Sequence, residues 1–204
     1  MDNNRLTDIG VILLRAQPFH KGHVYVINQI LRENDKALIL IGSANKEGTE
    51  RNPFSYELRK EIVIASLEDE KFDRNRILVE GLPDWSMEDA YQYAKEWGNY
   101  LYYNIVSRIQ RKTFRIYYND DSSIVNNWFT PELAQRIMVC SINRTSKSSL
   151  VSDISSTRVR NALMTEDETY LEKALSKSVF GRRKELREIL VHVSENPSKD
   201  FMMQ

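Results

Sequence analysis

Five short strand-like runs, Ile9–Leu14, 37–41, 76–80, 114–118 and 137–141, recur along the chain, the first of them continuously apolar, with helical patterning between most of them. Continuous apolar runs of this length predict strands buried on both faces, the condition of a parallel sheet rather than of a half-wet antiparallel one. Parallel neighbours need crossovers long enough to hold a helix. The alternation therefore predicts an α/β fold, a doubly wound parallel sheet followed by a helical C-terminal region. In such a sheet ligands gather at the carboxyl ends of the strands, where His20, Ser43, Asp84 and Asn119 are expected to emerge.

The first of these ends runs Arg15-Ala16-Gln17-Pro18-Phe19-His20-Lys21-Gly22-His23. Pro18 stops the strand, and a helix carrying Val24, Ile27, Ile30 and Leu31 on one face is expected from about Gly22 or His23. Its first turn offers unpaired N–H groups and the positive end of the helix dipole, which suits an anion. With His20 and His23 on one side of that turn, two ring N–H groups can reach oxygens of a single phosphoryl group. Gly22 leaves room for the approach. The same spacing also fits a plainer arrangement, one imidazole capping the helix and the other packed on the sheet.

A second segment, Asp153-Ile154-Ser155-Ser156-Thr157-Arg158-Val159-Arg160, sets N-cap candidates before a short helix with Arg160 one turn in. Hydroxyls, free N–H groups and a guanidinium converge there. A capped surface helix with solvated arginines has the same local pattern.

Taken together, these segments resemble the H-x-G-H nucleotidyltransferases, and within them the archaeal-type nicotinamide-nucleotide adenylyltransferases, over residues 8–190. His20-Lys21-Gly22-His23 matches the first signature and Ile154 to Arg160 the second, I-S-x-T-x-x-R. Gly42-Ser43-Ala44-Asn45, then Asn52-Pro53-Phe54-Ser55 and Arg59, resembles the G-S-A…N-P-F-T-x-x-E-R stretch of that branch. Two departures stand beside the match. Leu14-Arg15-Ala16-Gln17-Pro18 replaces the usual G-R-F-Q-P, and Leu58 stands where the branch carries a glutamate.

The resemblance implies a Rossmann-like sheet and adenylyl transfer from ATP to nicotinamide mononucleotide, giving NAD and pyrophosphate. His20, His23 and Arg160 are then the catalytic candidates. Arg15, Gln17, Phe19, Gly22 and Asn119 are expected on ATP, as are Ile154, Ser155, Ser156 and Thr157 around the departing phosphates. The nicotinamide nucleotide is assigned to Gly42, Ser43, Asn52, Phe54, Arg59 and Asp84, with Trp85 or Trp97 stacked on the pyridine ring. Its positive charge adds a cation–π attraction of ~0.5–2 kcal/mol. Plainer roles are open to these residues too: hydrophobic packing for both tryptophans, a helix cap for Asp84. The implied cofactor is Mg²⁺, carried mainly by the ATP phosphates, with no metal site in the protein. Tyr117 to Asp121 resembles the nucleotide rim, where Asp120 and Asp121 read as solvated turn residues.

Two other functions fit the same residues. One is the same chemistry on another acceptor, nicotinic acid mononucleotide or a phosphopantetheine; reading a carboxylate would call for a cation near Trp85, and the sequence shows none there. The other is an ATP- or NAD-sensing module without turnover.

Composition limits the remaining classes. At 204 residues and 41% apolar the chain can bury one core, so a single domain over 1–204 is expected, its core at about 8–190 and its tail, 196–204, frayed. The 29 basic and 29 acidic residues cancel, leaving no field that draws nucleic acid or an anionic membrane. No stretch is apolar enough to span a bilayer, and the first residues lack a signal core. Cys140, the one cysteine, falls in an expected buried strand, which fits a reducing cytoplasm. A homo-oligomer is expected, and 46–51 reads as a polar, mobile loop.

Overall fold

The computed structural model describes residues 8–85, 94–119, 127–142 and 151–196. Five strands, β1 (Ile9–Leu14), β2 (Lys36–Gly42), β3 (Ile77–Leu82), β4 (Phe114–Asn119) and β5 (Ile137–Ile142), form one sheet in the order β3-β2-β1-β4-β5. All four pairings are parallel. Each apolar run of the sequence became a strand, shifted by no more than one or two residues at its ends. The chain builds outward from β1 to β3, then returns to lay β4 on the other side of β1. The direction of winding thus reverses between β1 and β4, and the crevice outside their carboxyl ends is where such sheets take ligands.

Successive strand residues face opposite layers. Ile12, Leu14, Ile39 and Ile41 enter a core with α1 (Lys21–Glu33), α2 (Tyr56–Asp69) and four C-terminal helices, α5 (Ser156–Thr165), α6 (Glu168–Ala174), α7 (Lys177–Gly181) and α8 (Arg183–Glu195). Val11, Leu38, Leu40 and Ile116 enter a second core under α3 (Ala94–Ile109) and the short α4 (Pro131–Ala134). Each large side chain so buried contributes about 1.5–3 kcal/mol. Burial on β5 is poorer than expected. As the edge strand it leaves Met138 58% exposed and Cys140 only half-buried, correcting the expectation of a buried cysteine.

Glycine is required at Gly10 in β1. A Cβ there would lie 2.4 Å from Ile30 Cγ2 and 2.9 Å from both Asn34 Nδ2 and Tyr117 Cε2. That closeness presses α1 onto the sheet. Its C-terminal end is closed by Asn34, whose Nδ2 donates to Ile30 O at 2.8 Å and to the Tyr117 hydroxyl at 2.7 Å. The hydroxyl donates in turn to Glu33 Oε2, and burial pushes its pKa well above the ordinary tyrosine value. With its far end anchored, α1 presents its N-terminus at the β1 carboxyl end. Among the described residues no helix is long and apolar enough to cross a membrane.

Candidate active site

The helix α1 begins on its histidines. His20 is the N-cap, in extended backbone with φ −150°, and its Nδ1 accepts from Gly22 N at 3.1 Å, while His20 N donates to His23 Nδ1 at 3.2 Å. The rings stack with centroids 3.8 Å apart and planes 24° from parallel. Because each Nδ1 is an acceptor, a neutral ring carries its proton on Nε2, making that atom a donor. Capping and phosphate binding, alternatives in the sequence, are therefore compatible: Nδ1 serves the helix, and each ring carries a second nitrogen. Phe19, expected on ATP, is instead completely buried and stacks beneath His23 at 5.0 Å. Its ring supports that of His23.

Behind the histidines the ends of β1 and β2 are tied to one buried guanidinium. Arg59, fully buried, donates from Nε to Ser55 O at 3.2 Å, from one terminal nitrogen to Arg15 O (2.9 Å) and Gly42 O (2.8 Å), and from the other to Ser43 O (2.9 Å). Burial lowers its pKa, opposed by the charge of Asp84. Ala16 and Ser43 take left-handed backbone, φ 53° and 49°, beside the carbonyls that converge on Arg59. Such residues are strained by about 1–3 kcal/mol each and persist where surrounding contacts hold them. Arg59 thus holds the shape of two loops.

Gln17 and Phe54 are tied to each other. The Gln17 side chain, 2% exposed, accepts from Phe54 N at 3.1 Å and donates to Phe54 O at 3.3 Å, and the Phe54 ring is fully buried. Neither side chain faces solvent. Leu58 lies in the core, so the departure from the family glutamate replaces a charge with packing. Asn52 is different. It is 3% exposed, its backbone pairs with Thr49, and its Oδ1 has no hydrogen-bond partner among the described residues. A buried carbonyl left unsatisfied costs about 1–3 kcal/mol, which a ligand N–H or O–H would recover.

Ser43 extends the site to β3. Its hydroxyl donates to Asp84 Oδ1 at 3.1 Å, Lys46 Nζ lies 3.1 Å from Asp84 Oδ2, and Asn45 brackets the Asp84 backbone. A cation near Trp85 is therefore present, contrary to the sequence reading. Lys46 was missed because it sits in the polar run 46–51, where only the pairing of β2 with β3 brings it against Asp84. Trp85 is 52% exposed, whereas Trp97 packs against Tyr100 (5.5 Å) and edge-on to Trp128 (6.3 Å). Of the two stacking candidates, Trp97 is occupied by core packing. Tyr100 and Arg108 brace the β3 end by donating to Pro83 O and Gly81 O, both at 2.9 Å.

The N-terminus of α5 closes the other side. Ser155 caps it by accepting from Arg158 N, Ser156 Oγ donates to Pro18 O at 3.1 Å, and Arg160 donates to Gln17 O at 2.8 Å. Ser156 and Arg160 thus dock on the loop that carries the histidines. Burial lowers the Arg160 pKa, opposed by the Glu50 carboxylate. Thr157 is exposed beside them, and Ile154, expected on ATP, is a core residue instead. Arg158 turns away to Asp153 and lies over the Tyr170 ring at 5.1 Å. Arg15 stands exposed beyond β1, while the Asn119 side chain, Asp120 and Asp121 lie outside the described residues. Among the described residues no group of three His, Cys, Asp or Glu is placed to hold a metal ion.

Hydrogen bonds thus link α5, the histidine loop, Arg59, Ser43 and Asp84 into one rim above the sheet. Such an arrangement, a helix N-terminus with a guanidinium beside an exposed indole, can bind an anion next to a flat ring. Residues 15–162 match the cytidylyltransferase-like family. A nicotinamide-nucleotide adenylyltransferase of Saccharolobus solfataricus is 38% identical over 79 residues, 39% of this chain and 46% of that protein. One from Pyrococcus horikoshii is 39% identical over 75 residues, 37% and 40% of the respective chains. The matched segment thus spans less than half the length of these relatives. The crystal structure of a bifunctional NMN adenylyltransferase/ADP ribose pyrophosphatase from Francisella tularensis, complexed with AMP and a manganese ion, superposes with TM-score 0.64 at 23% identity, covering 94% of this chain and 53% of that one.

Proposed function

Because this chain belongs to the cytidylyltransferase-like family, we propose that it transfers the adenylyl group of ATP to nicotinamide mononucleotide, releasing pyrophosphate and forming NAD. A 5′-phosphate oxygen of the mononucleotide attacks the α-phosphorus in line, and the bond from that phosphorus to the bridging oxygen of the β-phosphate breaks. The attacking phosphate is already anionic, so no base has to remove a proton. Positioning and charge neutralisation are the work left to the protein.

His20 and His23 hold the transferred phosphate through Nε2. Arg160, Ser155, Ser156 and Thr157, at the α5 N-terminus, hold the departing phosphates. Arg15 adds a cation at the rim, and Asn52, Asp84 and Trp85 take the nicotinamide nucleotide. The Francisella protein was crystallised with AMP and a manganese ion, which supports a divalent cation here; Mg²⁺ arriving with ATP needs no protein ligand set.

The observation that carries this reading is the reciprocal cap of His20 and His23, which fixes both rings at the N-terminus of α1, where the helix dipole favours an anion. The relatives that share the matched segment are named for this reaction. Incubation with ATP, Mg²⁺ and a panel of phosphate acceptors, followed by mass identification of products, tests it. NAD with nicotinamide mononucleotide is expected; ATP bound but unconsumed with every acceptor would make the chain a sensor.

A further inference from the structure

We propose that the Lys46–Asp84 ion pair sets which pyridine mononucleotide the site accepts, favouring the carboxamide over the carboxylate. The inference rests on the adenylyltransferase reading and names the substrate preference of that same site. It begins from three contacts. Lys46 Nζ lies 3.1 Å from Asp84 Oδ2, Ser43 donates to Asp84 Oδ1 at 3.1 Å, and the neighbouring Trp85 is the exposed aromatic surface of this rim. Both partners of the ion pair keep about a quarter of their side-chain surface open, 27% each. The pair thus keeps surface open beside the exposed Trp85, and a pyridine ring stacked on that indole is the group the proposal sets against it.

A carboxamide and a carboxylate differ in what they ask of such a pair. The amide offers an N–H₂ donor and a C=O acceptor, while the acid offers two acceptors and a negative charge. Asp84 is acceptor-only and Lys46 donor-only, so together they match the amide at both ends. Facing the acid, Lys46 is still a partner, but Asp84 opposes a like charge across a short distance. Ser43 and the Asn45 bracket on the Asp84 backbone keep the carboxylate from turning aside.

Opposite effects of two substitutions follow. Asp84→Asn removes the repelling charge and supplies a donor, so the kcat/KM ratio of nicotinic acid mononucleotide to nicotinamide mononucleotide should rise by tenfold or more. Lys46→Met leaves Asp84 uncompensated, and the same ratio should fall by tenfold or more. Because both acceptors are measured on the same variant, a general loss of activity divides out. Where turnover is too slow to measure, calorimetric affinities of the two mononucleotides give the ratio instead. Ratios that stay within threefold of the parent, or that move in the same direction in both variants, would overturn the proposal while leaving the adenylyl-transfer reading in place. No dinucleotide from either acceptor with the parent protein would remove that reading, and this inference with it.

Discussion

At the scale of single residues the site divides into groups that meet the ligand and groups that hold the backbone which meets it. In the proposed reaction His23 belongs to both. Losing its Nε2 donor should lower kcat by about 10²-fold or more in His23→Ala, the size of losing one strong donor to developing charge, with ATP affinity changed far less. Losing its Nδ1 acceptor should cost about 0.5–2 kcal/mol of stability, the worth of an N-cap. Destabilisation with near-normal turnover would leave His23 as a cap alone. Arg160→Ala should weaken ATP and pyrophosphate binding by ~1.5–3 kcal/mol, the range for a charge-assisted hydrogen bond. Arg158→Ala, whose side chain is taken by Asp153 and Tyr170, is the control. Equal effects of the two in calorimetry would assign the phosphates to neither.

Arg59 shows where residue patterns mislead. A charged side chain within a ligand-binding motif reads as a ligand contact, yet here four backbone carbonyls consume it. Arg59→Lys cannot reach all four, and carbonyls left buried without partners cost about 1–3 kcal/mol each. A loss of at least ~2 kcal/mol in denaturant unfolding is expected; unchanged stability would mean that the carbonyls find water. Lys46 is the converse case, a residue that looks like loop charge until the pairing of β2 with β3 sets it against Asp84.

At the scale of elements the strands were legible because β1 and β2 are nearly continuous apolar runs, a pattern that sheets buried on both faces require, and the others are short runs rich in apolar and aromatic residues. The helix α1 was legible too, with its buried Ile27, Ile30 and Leu31 at helical spacing. The helix α2 hides its role, since its buried positions include Arg59 and Ser66 among Leu58, Ile62, Val63 and Leu67. Ser66 is spent on a hydroxyl pair with Ser176 at 3.0 Å, and Asp69 takes the Ser178 hydroxyl at 2.8 Å, fastening α2 to the C-terminal helices. Such contacts follow from tertiary packing and leave no period in the sequence. The α1–β1 crossing offers a direct test. Gly10→Ala should cost about 1–3 kcal/mol, the usual penalty of overpacking, because the added carbon meets Ile30 and Tyr117 on opposed elements. An unchanged unfolding midpoint would show that α1 can lift from the sheet without penalty.

At the scale of the molecule, the strand order β3-β2-β1-β4-β5 places the histidine loop beside the reversal of winding. The C-terminal helices complete the rim by returning Ser156 and Arg160 onto that loop. Two segments separated by more than a hundred residues thus meet on one loop, although each alone fits an ordinary capped helix. The central claim is that this rim moves an adenylyl group rather than merely holding a nucleotide. Quantifying NAD and pyrophosphate in one reaction with ATP, Mg²⁺ and nicotinamide mononucleotide tests it most directly. Equal amounts of NAD and pyrophosphate, formed as ATP is consumed and lost together in His23→Ala, are predicted; ATP that binds and is recovered intact, or is split to ADP and phosphate with no NAD, would contradict the account.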